Sequence, residues 1–111
     1  MIEVRNIVSN DDLGKFLEMQ PEKLHIVKFG APWCGPCRTL SNTIRNLDAS
    51  KTGDALFGSF EVDEEDTFDM TERFNIVNIP TLIYFKNKEE VNRSQGNVSA
   101  NILYETISKF I

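Results

Sequence analysis

The sequence predicts an α/β domain with a central mixed β-sheet, mostly parallel in its core, and helices on both faces. Three observations predict it. Strand-like and helix-like segments alternate along all 111 residues, the pattern of strand–helix–strand crossovers. The segment "LHIVKFG" (24–30) is nearly continuous apolar, as expected of a central parallel strand covered on both faces. "TLIYFK" (81–86) and "EEVNRSQG" (89–96) flank Asn87-Lys88, which reads as a C-terminal hairpin adding an antiparallel edge.

Each element has its own local reason. Residues 2–5 read as a short first strand. "SNDDLGKFLEMQP" (9–21) reads as a helix: Ser9 or Asn10 offers the N-cap, acids fill the first turn, and Leu13, Phe16 and Leu17 share one face. Gly14 weakens this helix and Pro21 ends it. After the strand at 24–30, "CGPCRTLSNTIRNLDASK" (34–51) carries Leu40, Ile44 and Leu47 at helical spacing. "ALFGSFEV" (55–62) is a strand, and "DTFDMTERFN" (66–75) a short helix with Met70 and Phe74 one turn apart. "TLIYFK" is β-branched and aromatic, as strands are. "SANILYETISKF" (99–110) closes the chain as a helix with Leu103, Ile107 and Phe110 inward. The expected order is β-α-β-α-β-α-β-β-α within one domain, residues 1–111, long enough to bury a core without staples.

Composition narrows the function. The chain is 41% hydrophobic and 26% charged, with net charge −5, an ordinary globular profile. Much of the acid lies in "EVDEEDTFD" (61–69). An acidic surface argues against nucleic-acid binding and against adhesion to anionic lipid. No apolar run approaches a membrane span. "MIEVRNIVSNDDL" lacks the basic-then-apolar pattern of a signal peptide, so the expected location is the cytoplasm and the expected state a monomer.

The chain has two cysteines, Cys34 and Cys37. A bridge between them closes a tiny loop and constrains the unfolded chain little, so a structural staple is a poor explanation. Zinc needs two further ligands, and His25 is the sole additional soft ligand; no metal site is expected, and His25 reads as an ordinary strand residue. Position explains more. Cys34 falls where the strand ends and the helix begins, where free N–H groups and the positive helix dipole stabilise a thiolate. Cys37 lies one turn later, near the separation a disulfide requires. Gly35 and Pro36 shape the turn, and Pro36 has no N–H to lose at a helix start. The pair can therefore switch between dithiol and disulfide. Cys34 is the candidate nucleophile and Cys37 the resolving thiol, with Trp33 offering a flat apolar surface beside them.

"WCGPC" (33–37), preceded by "FGAP" and followed by a helix, resembles the thioredoxin active site. The resemblance extends downstream: "NIPTLIYF" (78–85) is similar to the family's Ile-Pro-Thr segment, Gly96 to the glycine after the last strand, and "EVD" (61–63) to the end of the third strand. It covers about residues 2–110. It implies a thioredoxin fold, a cis Pro80 facing the cysteines, and a substrate groove formed by Trp33, Ile79, Pro80 and Gly96. It implies reduction of disulfide-containing protein substrates, no cofactor beyond the redox-active Cys34–Cys37 pair, and a thioredoxin reductase as electron donor. An oxidase or isomerase and a non-catalytic redox-sensing adaptor are the alternatives.

Four positions depart from the family pattern. Lys28 stands where the family commonly has a buried aspartate beneath the second cysteine. Ser59 stands for that aspartate's usual lysine partner, Gly30 for a common aromatic residue, and Asn42 for the proline that usually kinks the active-site helix. If strand 56–62 alternates, Ser59 and Glu61 share a face. Lys28 is then expected either to pair with Glu61, making both candidate modulators of thiol pKa, or to reach along its stem to solvent.

Overall fold

The computed structural model describes residues 1–62 and 68–111. The elements are β1 (Val4–Ile7), α1 (Asn10–Glu18), β2 (His25–Gly30), α2 (Gly35–Arg45), a 3₁₀ turn (Ala49–Lys51), β3 (Leu56–Glu61), α3 (Phe68–Arg73), β4 (Thr81–Lys86), β5 (Glu89–Gln95) and α4 (Ala100–Ser108). Most of the acidic stretch 61–69 lies outside the described residues, as do the expected helix start at Asp66 and the Asp63 end of "EVD".

The five strands form one mixed sheet in the order β1-β3-β2-β4-β5. β1 and β2 run parallel to β3, whereas β4 runs antiparallel to both β2 and β5. The antiparallel part thus reaches one strand further inward than the edge hairpin expected from the sequence. The connection after β3 begins and ends at one end of the sheet, with Glu61 beside Gly30 and Thr81 opposite Phe29, so β4 starts where β2 finishes and runs the other way.

Local chemistry sets the boundaries. Ser9 caps α1, its Oγ accepting the Asp12 N–H at 3.0 Å; Ser99 caps α4 in the same way. The first strand begins at Val4, not at residue 2, because the register Val4↔Phe57 to Ile7↔Phe60 buries Ile7. The helix expected over 34–51 ends at Arg45 with Asn46 as its C-cap. Asp48 then caps the 3₁₀ turn through the Ser50 N–H, an alternative that short polar side chains offer the backbone. Asn87 and Lys88 both have positive φ, 54° and 68°, as a two-residue hairpin turn of type I′ needs.

Two apolar clusters cover the two faces of the sheet. One joins α1 and α3 to Val27, Phe29, Phe60, Ile83 and Phe85; the other joins α2 and α4 to Ile26, Phe57, Leu82 and Tyr84. β2 feeds both by alternation, and all six of its residues are buried. Two of them are polar. His25 places Nε2 2.8 Å from the Met19 carbonyl and Nδ1 3.0 Å from the Lys23 carbonyl, with Phe16 edge-on at 5.0 Å. Lys28 is 7% exposed and donates from Nζ to Ser41 Oγ at 2.5 Å. Desolvation pushes its pKa below the ordinary lysine value; the Glu61 carboxylate pulls it back up, and Arg45 lowers it further.

A Cβ on Gly58 would lie 2.5 Å from Ile7 Cδ1 and 3.2 Å from Phe16, so Gly58→Ala should destabilise the fold by about 1–3 kcal/mol in urea denaturation. Because the folded Lys28 pKa lies below its unfolded value, the unfolded state binds more protons in that window, and stability rises with pH up to about 10.5. Oxidised Lys28→Met should therefore exceed the parent in stability by on the order of 1 kcal/mol at pH 7. That gap should narrow toward pH 10 in thermal melts, and a gap that does not change with pH would contradict the assignment.

Candidate functional site

Three residues separate the end of β2 at Gly30 from Cys34, the N-cap of α2. That short link holds the cysteine at the strand's end. The Cys34 N–H donates to the Ala31 carbonyl at 3.2 Å, and Arg38 Nη1 donates to the Pro32 carbonyl at 2.7 Å, tying the first helical turn to the link. Cys34 Sγ accepts the Cys37 N–H at 3.2 Å. This is the N-cap hydrogen bond made by sulfur, and it stabilises a thiolate when the pair is reduced.

Cys34 and Cys37 form a disulfide with Cα atoms 5.2 Å apart, within the usual range. Cys34 is 7% exposed and Cys37 1%, so Cys34 is the outer sulfur. Ile79 packs with Ala31 and both cysteines in a small apolar cluster. The Ile79–Pro80 peptide bond is cis. The Pro80 carbonyl accepts the Gly96 N–H at 2.8 Å. Gly96 has φ +83°, and open space surrounds the position of its missing Cβ. The fold thus gathers Cys34, Cys37, Ile79, Pro80 and Gly96 at one end of the sheet. Trp33 sits beside Cys34 in the chain, 68% exposed, and Gly35 and Pro36 form the first turn of α2.

Lys28 follows neither sequence expectation. It is buried, and among the described residues no ion pair includes it. Register explains why Glu61 is not its partner. Ser59 lies opposite Lys28, while Glu61 lies opposite Gly30, two positions further along, with its side chain exposed. The polar partner is Ser41, which sequence reading missed. The signal was present: Cys37, Leu40, Ser41 and Ile44 share the inward face of α2, and a lone hydroxyl on an apolar stripe invites a buried donor.

Gly30 completes the arrangement. A Cβ there would sit 3.1 Å from Cys37 Sγ and 3.6 Å from Lys28 Nζ. The ammonium and the inner sulfur therefore face one methyl-sized notch. Beyond Lys28 a cavity of about 30 Å³ is bordered by Ser41, Arg45 and Ser59. α2 runs unbroken through Asn42. His25 lies at the opposite end of β2 from the cysteines. Among the described residues, no group of three or more His, Cys, Asp or Glu side chains clusters to hold a metal.

Comparison with known proteins agrees with this geometry. Residues 6–109 match the Thioredoxin family model. The thioredoxin of Chlamydia pneumoniae is 34% identical over 103 residues, covering 93% of this chain and 95% of that one. Thioredoxin domain-containing protein 2 of Rattus norvegicus is 36% identical over 93 residues, but these are 84% of this chain and 16% of that protein. The first curated relatives matched are longer proteins, of which the chain spans 16–58%. The X-ray structure of Fasciola hepatica thioredoxin superposes with a TM-score of 0.85 at 28% identity, covering 97% of this chain and 100% of that one. The chain belongs to the thioredoxin family, and Cys34–Cys37 at the head of α2 is the redox-active disulfide of a thiol–disulfide oxidoreductase domain.

Proposed function

We propose that this protein reduces disulfides in other proteins, in the cytoplasm, as a monomer. One observation carries the reading: a disulfide whose outer sulfur caps a helix and whose inner sulfur is buried one turn later. In the dithiol form, the Cys34 thiolate attacks a substrate disulfide. A Cys34–substrate bond forms, and the first substrate sulfur leaves as a thiolate. Cys37 then attacks Cys34; the enzyme disulfide closes, and the second substrate sulfur leaves. Two electrons pass from the cysteine pair to the substrate, and the substrate thiolates take protons from water. Restoring the dithiol needs an electron donor, for which a thioredoxin reductase is our candidate. No further cofactor enters this scheme.

Trp33, Ile79, Pro80 and Gly96 are the proposed groove, with an extended substrate segment pairing beside Pro80. The reducing direction is supported by Gly-Pro between the cysteines, where oxidising and isomerising relatives often carry histidine. The acidic balance of −5 disfavours nucleic acid and anionic membrane as partners, and among the described residues no helix is long and apolar enough to cross a membrane.

The test is insulin reduction driven by dithiothreitol. Parent protein should accelerate it, Cys34→Ser should lose the acceleration, and Cys37→Ser should accumulate a covalent adduct on Cys34. Absence of turnover together with a stable, redox-dependent complex would favour an adaptor. A glutathione equilibrium far more oxidising than a reductase requires would favour the oxidase. Trp33→Ala should lower kcat/KM roughly tenfold, the scale of losing one large contact, with both thiols still titratable.

A further inference from the structure

Beyond the exchange at Cys34, the inner cysteine poses a separate problem. Cys37 must lose its proton to resolve the mixed disulfide, yet it is 1% exposed and has little access to water. The notch at Gly30 brings one basic side chain near it: a Cβ placed there would lie 3.6 Å from Lys28 Nζ and 3.1 Å from Cys37 Sγ. The two atoms thus border one methyl-sized space, a separation that a single bridging water can span. Lys28 in turn hydrogen-bonds to Ser41 Oγ, and both border the 30 Å³ cavity, room for a water or two.

We propose that Lys28 is the proton partner of Cys37: it takes the thiol proton when Cys37 becomes the resolving thiolate and passes it on along Ser41 and the cavity once the disulfide has closed. This rests on the reading of Cys37 as the resolving cysteine. The step balances. The Cys37 S–H proton moves to the Lys28 amine, giving a thiolate beside an ammonium. The thiolate attacks Cys34, forming the Cys34–Cys37 bond and breaking the Cys34–substrate bond, and the substrate sulfur leaves with the electron pair. Lys28 is then a buried ammonium beside a neutral disulfide. Without the thiolate it holds its proton less tightly, and the proton leaves through the cavity, because the Ser41 hydroxyl can accept from Lys28 and donate onward.

The charged groups acting on Lys28 fit this role. On β3, the Glu61 carboxylate favours the ammonium; on α2, Arg45 opposes it, and burial opposes it more. Opposite Lys28 on β4 lies Leu82, which carries no charge. The lysine is thus held below its ordinary pKa in the oxidised state, where an amine able to accept a proton becomes accessible nearer neutral pH.

Stopped-flow reaction of the reduced full chain with one equivalent of a symmetrical aromatic disulfide separates the two steps. Attack by Cys34 releases one coloured thiolate and resolution by Cys37 releases the second. In Lys28→Met the second release should slow roughly tenfold or more at pH 7, and its pH profile should move up toward that of an ordinary thiol. The first release should stay within about twofold. Lys28→Arg keeps the cation but lacks an accessible basic form, so it should not restore the second release.

An unchanged second release in Lys28→Met overturns the proposal. Full rescue by Lys28→Arg also overturns it, because charge alone would then suffice. Ser41→Ala, the loss of one half-buried hydroxyl from α2, keeps the proposal falsifiable if Lys28→Met fails to fold. By removing the hydroxyl that positions Lys28 Nζ, it should slow the second release about fivefold, the worth of one hydrogen bond, and no slowing overturns the role of a Ser41-held Lys28 in the resolving step. Loss of the first release in the parent protein would instead count against Cys34 as nucleophile, a separate failure.

Discussion

Everything in this molecule is arranged around the burial of β2. Its backbone is paired on both edges, with β3 and β4, and its side chains feed the apolar clusters on both faces. A strand so enclosed cannot shift register by one residue without moving every side chain to the wrong face. Its C-terminal end is therefore a fixed point. The short link to Cys34 transfers that fixity to the helix N-terminus. The antiparallel approach of β4 brings Ile79 and Pro80 to the same end. The two cysteines and the segment proposed to dock a substrate meet there without a dedicated scaffold.

The same burial makes polar residues in β2 informative. His25 is balanced by two main-chain carbonyls, a local solution near the start of the strand. Lys28 has one hydroxyl, an offset carboxylate and a small cavity. A cation with so little compensation weakens the fold, and under the proposed proton transfer the ammonium need not persist in every redox state. A thiolate on Cys37 would supply the counter-charge that the disulfide lacks. Stability and redox state are then linked through one side chain.

Much of this was readable from the residues. The alternation of elements, the two-sided burial of 24–30 and the turn at Asn87-Lys88 are set by local pattern, and the sheet and its helices follow. The cysteine pair was readable because a helix start needs few neighbours to be recognised. Boundaries were less so. Asp48 ended α2's run by offering a competing cap, and pairing with Phe57 and Phe60 moved the first strand to Val4–Ile7. The direction of β4 depends on the end of the sheet to which the connection after β3 returns, which no short window reveals. The fate of Lys28 was the hardest. Strand alternation placed Ser59 and Glu61 on its face, but the partner came from α2. A contact between a strand and a helix 13 residues apart depends on how the two pack, and hydropathy spacing specifies only that they do.

The empty notch at Gly30 also bears on how such sequences can vary. With any side chain at 30, the first atom added would press on Cys37 and come into contact with Lys28. Positions 28, 30 and 41 are thus coupled in space. Atoms beyond the first at 30 would compete with the Lys28 side chain for the same space, so a long base at 28 goes with a bare 30. Single substitutions at these positions pass through crowded or uncompensated intermediates, so exchange between this arrangement and another should occur in concert. Effects measured one position at a time would then misjudge what the three accomplish together.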